Sequence, residues 1–285
     1  MRVQPTDVRR RCADLGDVVR RAELARLGVD EHSVKAAVRS GEIIRIREGV
    51  YASADVSHDV ITAVAHGGRL GCVSRIRAAG LWVLDADGDR VHVSMPRTGS
   101  SRRHEGCRCV VHWTGGPAVG GLAPLDEALV QMLGCRGIEE FFVALESTMR
   151  KRLLDPRSLR ELQSRLPRKS RWVVEFARWN ADSGLESLLR LRLRTLGLSL
   201  ASQIDIPGVG RVDFLLAGVI VLEVDGVAGH ADGVSSRHKD LVRDAVSSTY
   251  GLEALRFDYV MVVHDWPLVE AAILAALDRN RHRGR

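Results

Sequence analysis

The sequence has few aromatic residues, no long apolar run and five scattered cysteines. Aromatic residues make up 5% of the chain, which argues against a surface that stacks on sugars or bases. No stretch approaches the roughly 18 apolar residues of a membrane span, and the first residues lack the pattern of a signal peptide. The odd number of cysteines predicts reduced thiols and therefore a cytoplasmic protein.

The charge balance is basic, with 42 Lys and Arg residues against 36 Asp and Glu residues and a pI near 9.4. This balance is compatible with a nucleic-acid partner, but the dominance of arginine fits a GC-rich genome equally well. A chain of 285 residues predicts two or three domains. We expect domains at 1–55, 56–180 and 181–285.

Three carboxylates lie in an apolar, strand-like segment between residues 210 and 226, at Asp213, Glu223 and Asp225. A carboxylate in a buried strand is unfavourable unless a cation neutralises it. Mg²⁺ accepts such oxygen ligands together with water and phosphate. The segment therefore predicts a Mg²⁺ or Mn²⁺ site for the hydrolysis of a phosphodiester.

The metal hypothesis depends on the turn between the two strands. A three-residue turn at 217–219 places Asp213 directly opposite Glu223, roughly 5 Å away. A two-residue turn would shift the register by one and turn Asp213 to the other face. Asp225 precedes a glycine, so a structural role in a turn is the alternative for that residue.

Two flanking residues belong to the same hypothesis. Glu186 stands three residues after Ser183 at the start of a helix, which also fits a capping box without a catalytic role. His230 follows two glycines in a loop, where an ordinary exposed histidine is the alternative. Asp240 and Arg243 follow on a helix at the spacing of an intrahelical ion pair.

Residues from about 183 to 277 resemble a bacterial domain related to the very-short-patch mismatch-repair endonucleases, within the restriction-endonuclease-like superfamily. The matching residues are Glu186, Gln203, 212–214, 223–226, His230, Asp240, Arg243 and 255–257. The resemblance implies an α/β core in which Asp213 binds a metal with Glu223 or Asp225. It also implies a catalytic role for His230 and an accessory role for Glu186.

The sequence departs from that superfamily in two ways. The usual lysine two residues after the strand glutamate is Asp225 here. The five cysteines are Cys12, Cys72, Cys107, Cys109 and Cys135, so the carboxyl-terminal region lacks the structural zinc site of the repair enzymes. The missing zinc site argues against mismatch repair, and the missing lysine suggests a nuclease that has lost its activity. The second hypothesis is therefore a regulator or antitoxin that binds DNA without cutting it.

The first 55 residues have the pattern of a winged helix-turn-helix. Two helices are predicted at 17–27 and 31–40, each ended by a glycine, and a two-stranded ribbon is predicted at 42–51. The second helix offers His32, Lys35 and Arg39 to a major groove, while Arg45 and Arg47 on the ribbon reach phosphates. The same geometry also mediates protein contacts, which is the alternative.

Residues 7–53 also resemble the amino-terminal domain of abortive-infection-type antitoxins, most closely at the Gly49-Val50-Tyr51 end of the ribbon. The resemblance implies a regulator that binds DNA, often its own promoter, and it implies a toxin as partner. Phosphate chemistry does not distinguish DNA from RNA, so an RNA substrate stays open for the nuclease hypothesis. The oligomeric state is not predicted.

The middle region, 56–180, predicts a mixed α+β domain. A helical segment is expected at 57–84, strands at 90–96 and 108–113, and helices from 123 to 179 with a break at Pro156. His104, Cys107, Cys109 and His112 suggest zinc. Because the two cysteines would face one side of a strand and His112 the other, no zinc site is predicted from these four.

Overall fold

A computed structural model describes residues 3–84, 88, 90–102, 106–114, 120–225 and 234–283. The chain divides into two compact units. The first comprises Met1–Ala144 and Leu154–Val174, and the second comprises Leu145–Leu153 and Glu175–Arg285. The expected mixture of helices and sheets is confirmed, while the domain boundaries at 55 and 180 stay predictions.

The amino-terminal part of the first unit combines three helices with a three-stranded antiparallel sheet in the order β1-β3-β2. The elements are α1 (Pro5–Asp14), β1 (Val18–Arg20), α2 (Arg21–Arg26), α3 (Glu31–Arg39), β2 (Ile43–Arg47) and β3 (Val50–Ser53). Gly28 and Gly41 follow α2 and α3 with φ of +77°, a backbone conformation that ends helices and favours glycine. The predicted helix ends at Gly28 and Gly41 and the predicted two-stranded ribbon around Glu48 and Gly49 are therefore confirmed.

The predicted helix at 17–27 is wrong in its first turn, because β1 occupies that position. Val18 and Val19 are both buried, and they pack into two different hydrophobic clusters on opposite faces of the strand. A β-branched pair that is buried on both sides favours a strand over a helix. Helix α1 was not predicted.

A β-bulge interrupts the pairing of β2 with β3. Arg45 pairs with Tyr51, whereas Arg47 pairs with Val50, so one extra residue of β2 lies between the two pairs. Tyr51 and Val50 are neighbours on β3 and therefore point to opposite faces, and each arginine shares the face of its partner. Arg45 and Arg47 therefore lie on opposite faces of the ribbon.

Residues 58–176 contain a second three-stranded sheet in the order β4-β5-β6. Strand β5 is antiparallel to β4 and parallel to β6. The elements are α4 (His58–Ala65), β4 (Arg69–Leu70), α5 (Cys72–Ala78), β5 (His92–Pro96), β6 (Val110–Thr114), α6 (Leu125–Arg136), α7 (Ile138–Arg150), α8 (Pro156–Arg165) and α9 (Trp172–Phe176), with a 3₁₀ turn at Arg168–Ser170 before α9.

The helical segment predicted at 57–84 is two helices with a short strand between them. Gly67 has φ of +99°, and a Cβ at Gly68 would lie 2.4 Å from the carbonyl oxygen of Ser94. This close approach of two backbones ends α4 and starts β4. The two predicted strands and the helical region broken before Pro156 are confirmed.

The second unit contains a four-stranded sheet in the order β10-β9-β8-β7, in which β10 is parallel to β9 and the other pairs are antiparallel. Its elements are α10 (Gly184–Thr195), β7 (Leu200–Ile206), β8 (Gly210–Leu216), β9 (Ile220–Asp225), α11 (Val234–Thr249), β10 (Glu253–Asp258), α12 (Tyr259–His264) and α13 (Trp266–Arg283). Among the helices that the structure describes, none is long and apolar enough to cross a membrane.

The turn between β8 and β9 has three residues. Leu216 pairs with Ile220 and Phe214 pairs with Leu222, and Ala217 and Gly218 both have positive φ. Continuing this register by one residue places Asp213 opposite Glu223. The three-residue turn that the metal hypothesis requires is therefore present.

Candidate functional site

A basic groove lies between α3 and the β2–β3 ribbon. Asp30 caps α3 by accepting a hydrogen bond from the backbone N–H of Ser33 at 2.7 Å, which fixes where the helix begins. The groove is lined by Arg21, Glu31, Val34, Lys35, Val38, Arg39, Arg45, Gly49 and Tyr51. Three of the five predicted DNA-binding residues, Lys35, Arg39 and Arg45, thus line one concave surface.

The groove contains one acidic side chain among four basic ones. Glu31 pairs with Lys35 at 2.6 Å, and both side chains are exposed. The hydrogen bond from Lys35 lowers the pKa of Glu31. Arg21, which the sequence analysis did not select, donates a hydrogen bond to the carbonyl oxygen of Val29 at 3.0 Å.

The other two predicted DNA-binding residues lie outside the groove lining. His32 is exposed on α3. Arg47 is half-buried on the opposite face of the ribbon, because of the bulge. Burial lowers the pKa of Arg47, and the nearby Arg102 and Arg20 lower it further, so these three guanidinium groups form a second basic cluster.

Asp213 is half-buried on β8 and accepts a hydrogen bond from the backbone N–H of Val224 at 2.9 Å. Burial raises the pKa of Asp213, and the neighbouring Glu223 and Asp225 raise it further, although the Val224 hydrogen bond opposes them. Asp213 is therefore a carboxylate whose ionised form is disfavoured by its surroundings.

Glu186 is buried near the start of α10. Its backbone N–H donates to the Ser183 hydroxyl at 3.1 Å, so the predicted cap is present. The Glu186 carboxylate accepts a 2.7 Å hydrogen bond from the Gln203 side chain, whose backbone has φ of +57°. Burial raises the pKa of Glu186, and Asp213 is the second cause.

The capping box predicted for Ser183 and Glu186 is therefore only half formed. The Glu186 carboxylate turns toward Gln203 and toward the backbone N–H of Asp182, at 3.4 Å, rather than closing on Ser183.

Glu223 has arginine partners. Arg256 Nε donates to Glu223 at 2.9 Å, and Arg243 forms a second ion pair with the same carboxylate. Two guanidinium groups thus neutralise this carboxylate, and the metal assignment to Glu223 stays a prediction. Arg243 pairs with Glu223 and donates a hydrogen bond to the carbonyl oxygen of Arg211, and its predicted pairing with Asp240 lies outside the described residues.

The remaining predicted site residues contribute less to the geometry. Asp225 is exposed at the end of β9. His230 and the side chain of Asp240 lie outside the described residues. Within the described part of the chain, two groups of His, Cys, Asp or Glu have ligand atoms close enough for one metal ion, and neither contains Asp213, Glu223 or Asp225.

The fit of the carboxylates to Mg²⁺ is therefore uneven. Asp213 and Glu186 are shielded carboxylates whose pKa values are raised by burial, and a divalent cation would relieve the unfavourable charge of both. Glu223 would have to exchange arginine partners for the ion. The assignment of Mg²⁺ or Mn²⁺ to these residues stays a prediction.

Comparison with known proteins points to the amino-terminal part of the chain. Residues 9–54 match the family model described as "Transcriptional regulator, AbiEi antitoxin". The groove residues of α2, α3 and the ribbon all lie within this match. The match supports a regulator or antitoxin segment, and it does not reach the carboxyl-terminal unit.

Among solved structures, one similar chain is the crystal structure of the RV2827C protein from Mycobacterium tuberculosis. It is 18% identical, with a TM-score of 0.28, and the similarity covers 62% of this chain and 77% of that chain. No curated protein matches the sequence.

Proposed function

We propose that this protein is a DNA-binding transcriptional regulator of the antitoxin type, which contacts duplex DNA through the basic groove of its amino-terminal segment. The observation that carries the proposal is the groove itself. Lys35 and Arg39 on α3 and Arg45 on the ribbon line it together, within the residues that match the antitoxin regulators. The order of helices and strands supports a winged helix, in which the second helix of the turn would read the major groove.

The charges of the groove support a phosphate-rich partner. Arg21, Lys35, Arg39 and Arg45 provide four cations on one concave surface, with Glu31 as the only acidic lining residue. Cationic side chains bind DNA phosphates and release counterions, so the affinity should fall steeply with salt. The second basic cluster, at Arg20, Arg47 and Arg102, would contact a neighbouring phosphate from the other face of the ribbon.

The test is a fluorescence-anisotropy titration of the full-length protein with labelled duplex from the region upstream of its own gene. Arg39→Ala should weaken binding by about 1–3 kcal/mol, which is roughly 5- to 150-fold. Arg160→Ala removes an exposed arginine of α8 and serves as the matched control with unchanged affinity. Equal affinities of the wild type and Arg39→Ala on every duplex tested would refute the groove as the DNA interface.

A toxin partner belongs to the same proposal, since the matching family is named for an antitoxin. The product of the adjacent gene should co-purify with the full-length chain when the two are co-expressed. It should be inhibitory to growth when it is expressed alone. A neighbouring product that is harmless and does not co-purify would remove the antitoxin part and leave the regulator.

A second candidate is metal-dependent hydrolysis of phosphodiester bonds by the carboxyl-terminal unit. The observation that favours it is the pair of shielded carboxylates Glu186 and Asp213: burial raises the pKa of both, and the charge of Asp213 raises the pKa of Glu186 further. These residues would hold Mg²⁺ or Mn²⁺, and the ion would polarise a phosphate. His230 and Asp225 stay predicted participants, and RNA is as open a substrate as DNA.

Calorimetry of Mg²⁺ and Mn²⁺ binding to the full-length protein separates this candidate from the regulator. Binding that is lost in Asp213→Ala, together with metal-dependent cleavage of plasmid, single-stranded DNA or RNA, would support the nuclease. Duplex binding without cleavage in the presence of either metal would favour the regulator alone.

A further inference from the structure

A group of two cysteines and two histidines lies between the β4-β5-β6 sheet and the helices that cover it. Cys72 is the first residue of α5, His92 the first of β5, and Cys135 lies in the last turn of α6. His112 lies in the middle of β6. One ligand atom from each of the four residues lies within 4.8 Å of every other.

We propose that the first unit holds a structural zinc site, which is independent of the proposed DNA groove. Its four ligands are Cys72, His92, His112 and Cys135. Two thiolates and two imidazoles are the ligand set that tetrahedral zinc prefers. Four protein ligands leave no open position for substrate, so the site would stabilise the fold rather than catalyse a reaction.

The distances support a tetrahedral arrangement. Zinc bonds of about 2.0–2.3 Å separate the ligand atoms of a tetrahedron by roughly 3.3–3.8 Å. His92 Nδ1 lies 3.1 Å from His112 Nε2, and Cys135 Sγ lies 4.0 Å from His92 Nδ1. These separations differ from the tetrahedral values by a few tenths of an ångström, which small side-chain rotations can absorb.

The register of the sheet explains why the two histidines meet. His92 pairs with Val110, and Ser94 pairs with His112 in the parallel β5–β6 ladder. Residues two apart on a strand share a face, so both imidazole rings point to the side that α6 covers. The rings stack with their centroids 5.3 Å apart.

Helix α6 presents a polar stripe to this face of the sheet. Glu127, Gln131 and Cys135 follow one another at intervals of four residues, so they share one side of the helix. Glu127 binds the buried Arg69 at 3.0 Å at one end of the stripe. Cys135 approaches the histidines at the other end.

Gln131, in the middle of the stripe, holds Cys72 in position. Its side-chain oxygen accepts a hydrogen bond from the backbone N–H of Cys72 at 2.8 Å. Cys72 has φ of +44°, a conformation that non-glycine residues adopt when their surroundings impose it. A residue that orients a metal ligand in this way typically changes metal affinity 10- to 100-fold when it is removed.

His66, Cys107 and Cys109 form a second group of possible ligands, which is separate from the first. A variant in this group therefore serves as a control for the proposed zinc site. Cys107 Sγ lies 3.1 Å from His66 Nε2. Cys107 and Cys109 precede β6 and belong to this second group, whereas His112 belongs to the first. The proposed zinc site therefore uses only one of the four residues that first suggested zinc.

The experiment uses the full-length protein, expressed with zinc in the medium, purified without chelators and analysed for metal by mass spectrometry. The wild type should retain about one zinc ion per chain after dialysis. Cys135→Ser, which changes the most exposed ligand, should lose it, and Gln131→Leu should lower zinc affinity about 10- to 100-fold. Cys135→His, which replaces one zinc ligand with another, should restore binding.

Cys107→Ser is the matched control and should keep the zinc ion that Cys135→Ser loses. Replacement of zinc by Co²⁺ should give the strong visible absorption of a tetrahedral site, with a thiolate charge-transfer band that Cys135→Ser reduces. A wild type that binds neither metal, or a disulfide between Cys72 and Cys135 in the non-reduced protein, would overturn the proposal. Retention of zinc by both Cys72→Ser and Cys135→Ser would overturn it as well.

Discussion

Arg256 Nε donates a 2.9 Å hydrogen bond to Glu223 Oε2, and the two residues are direct partners in the parallel β9–β10 ladder. Cross-strand partners of opposite charge stabilise a sheet pair. The same arginine also binds Asp244 on α11 at 2.8 Å, so one guanidinium connects the strand pair to the helix.

Replacement of Arg256 by Ala should lower the free energy of unfolding by about 0.5–1.5 kcal/mol, because one hydrogen-bonded charge partner of Glu223 is lost. The loss stays small because Arg243 still neutralises the carboxylate. Urea unfolding of the full-length protein measures it. The double variant Arg243→Ala, Arg256→Ala should be destabilised by more than the sum of the single variants, since it removes both of the arginines that pair with Glu223 among the described residues. A strictly additive result would contradict the shared role of the two arginines.

Asp213→Asn should raise the midpoint of thermal unfolding at neutral pH without added metal. The folded state raises the pKa of Asp213, so the carboxylate favours folding when it is protonated and disfavours folding when it is ionised. The amide does not titrate and keeps the hydrogen-bond acceptor for Val224. The neutral side chain therefore removes an unfavourable charge.

The difference between Asp213→Asn and the wild type should shrink as the pH falls. As the pH falls, Asp213 in the folded state becomes protonated around its raised pKa. Below the unfolded-state pKa of about 3.9 it is protonated in both states, so its charge no longer affects folding. Thermal scans from pH 7 to pH 3 check the trend. A gap that widens toward acid would show that the ionised form of Asp213 is the favoured one.

Glu146→Ala should destabilise the second unit by about 3–5 kcal/mol, because it leaves a buried guanidinium without its anion. Glu146 is fully buried, pairs with the buried Arg190 and accepts a backbone hydrogen bond from Arg178 at 2.6 Å. Glu161→Ala is the matched control. It breaks the exposed ion pair with Arg157 on α8 and should change the stability by less than about 0.5 kcal/mol. Similar urea midpoints for the two variants would contradict the assigned difference.

Glu31→Gln should tighten DNA binding by roughly two- to tenfold at low salt, because it removes the acidic side chain of the groove and frees Lys35 for phosphate. Lys35→Ala should weaken binding on all sequences and lower the slope of log K against log salt by about one. Anisotropy titrations between 50 and 200 mM salt, a range in which such binding typically changes strongly, measure both effects. A Glu31→Gln variant that binds DNA less tightly would place the interface elsewhere.

Local features of the fold were predictable from the sequence. Glycines 28 and 41 end helices because they adopt positive φ, and Ala217 and Gly218 mark the turn between β8 and β9, although the sequence left its length open between two and three residues. These outcomes depend on neighbouring residues only. They needed no knowledge of which distant segments meet.

The features that were missed depend on distant partners. Strand β1 forms because it pairs with β3, about 30 residues later in the chain. The helical pattern of the local sequence does not reveal that pairing. Glu223 pairs with Arg256, which lies 33 residues away in the sequence, so this cation could not be identified from the residues near Glu223. The Cys and His ligands come from four elements, and no short motif joins them.

The bulge in β2 has a consequence for how this ribbon can evolve. Because Arg45 and Arg47 lie on opposite faces, a substitution at either position changes one contact surface and leaves the other intact. A regular strand would couple the two arginines, so that every gain or loss of charge acted on a single side. The additional residue of the bulge thus places the groove and the second basic cluster on different faces of the ribbon. The charge of either surface can therefore change without changing the other.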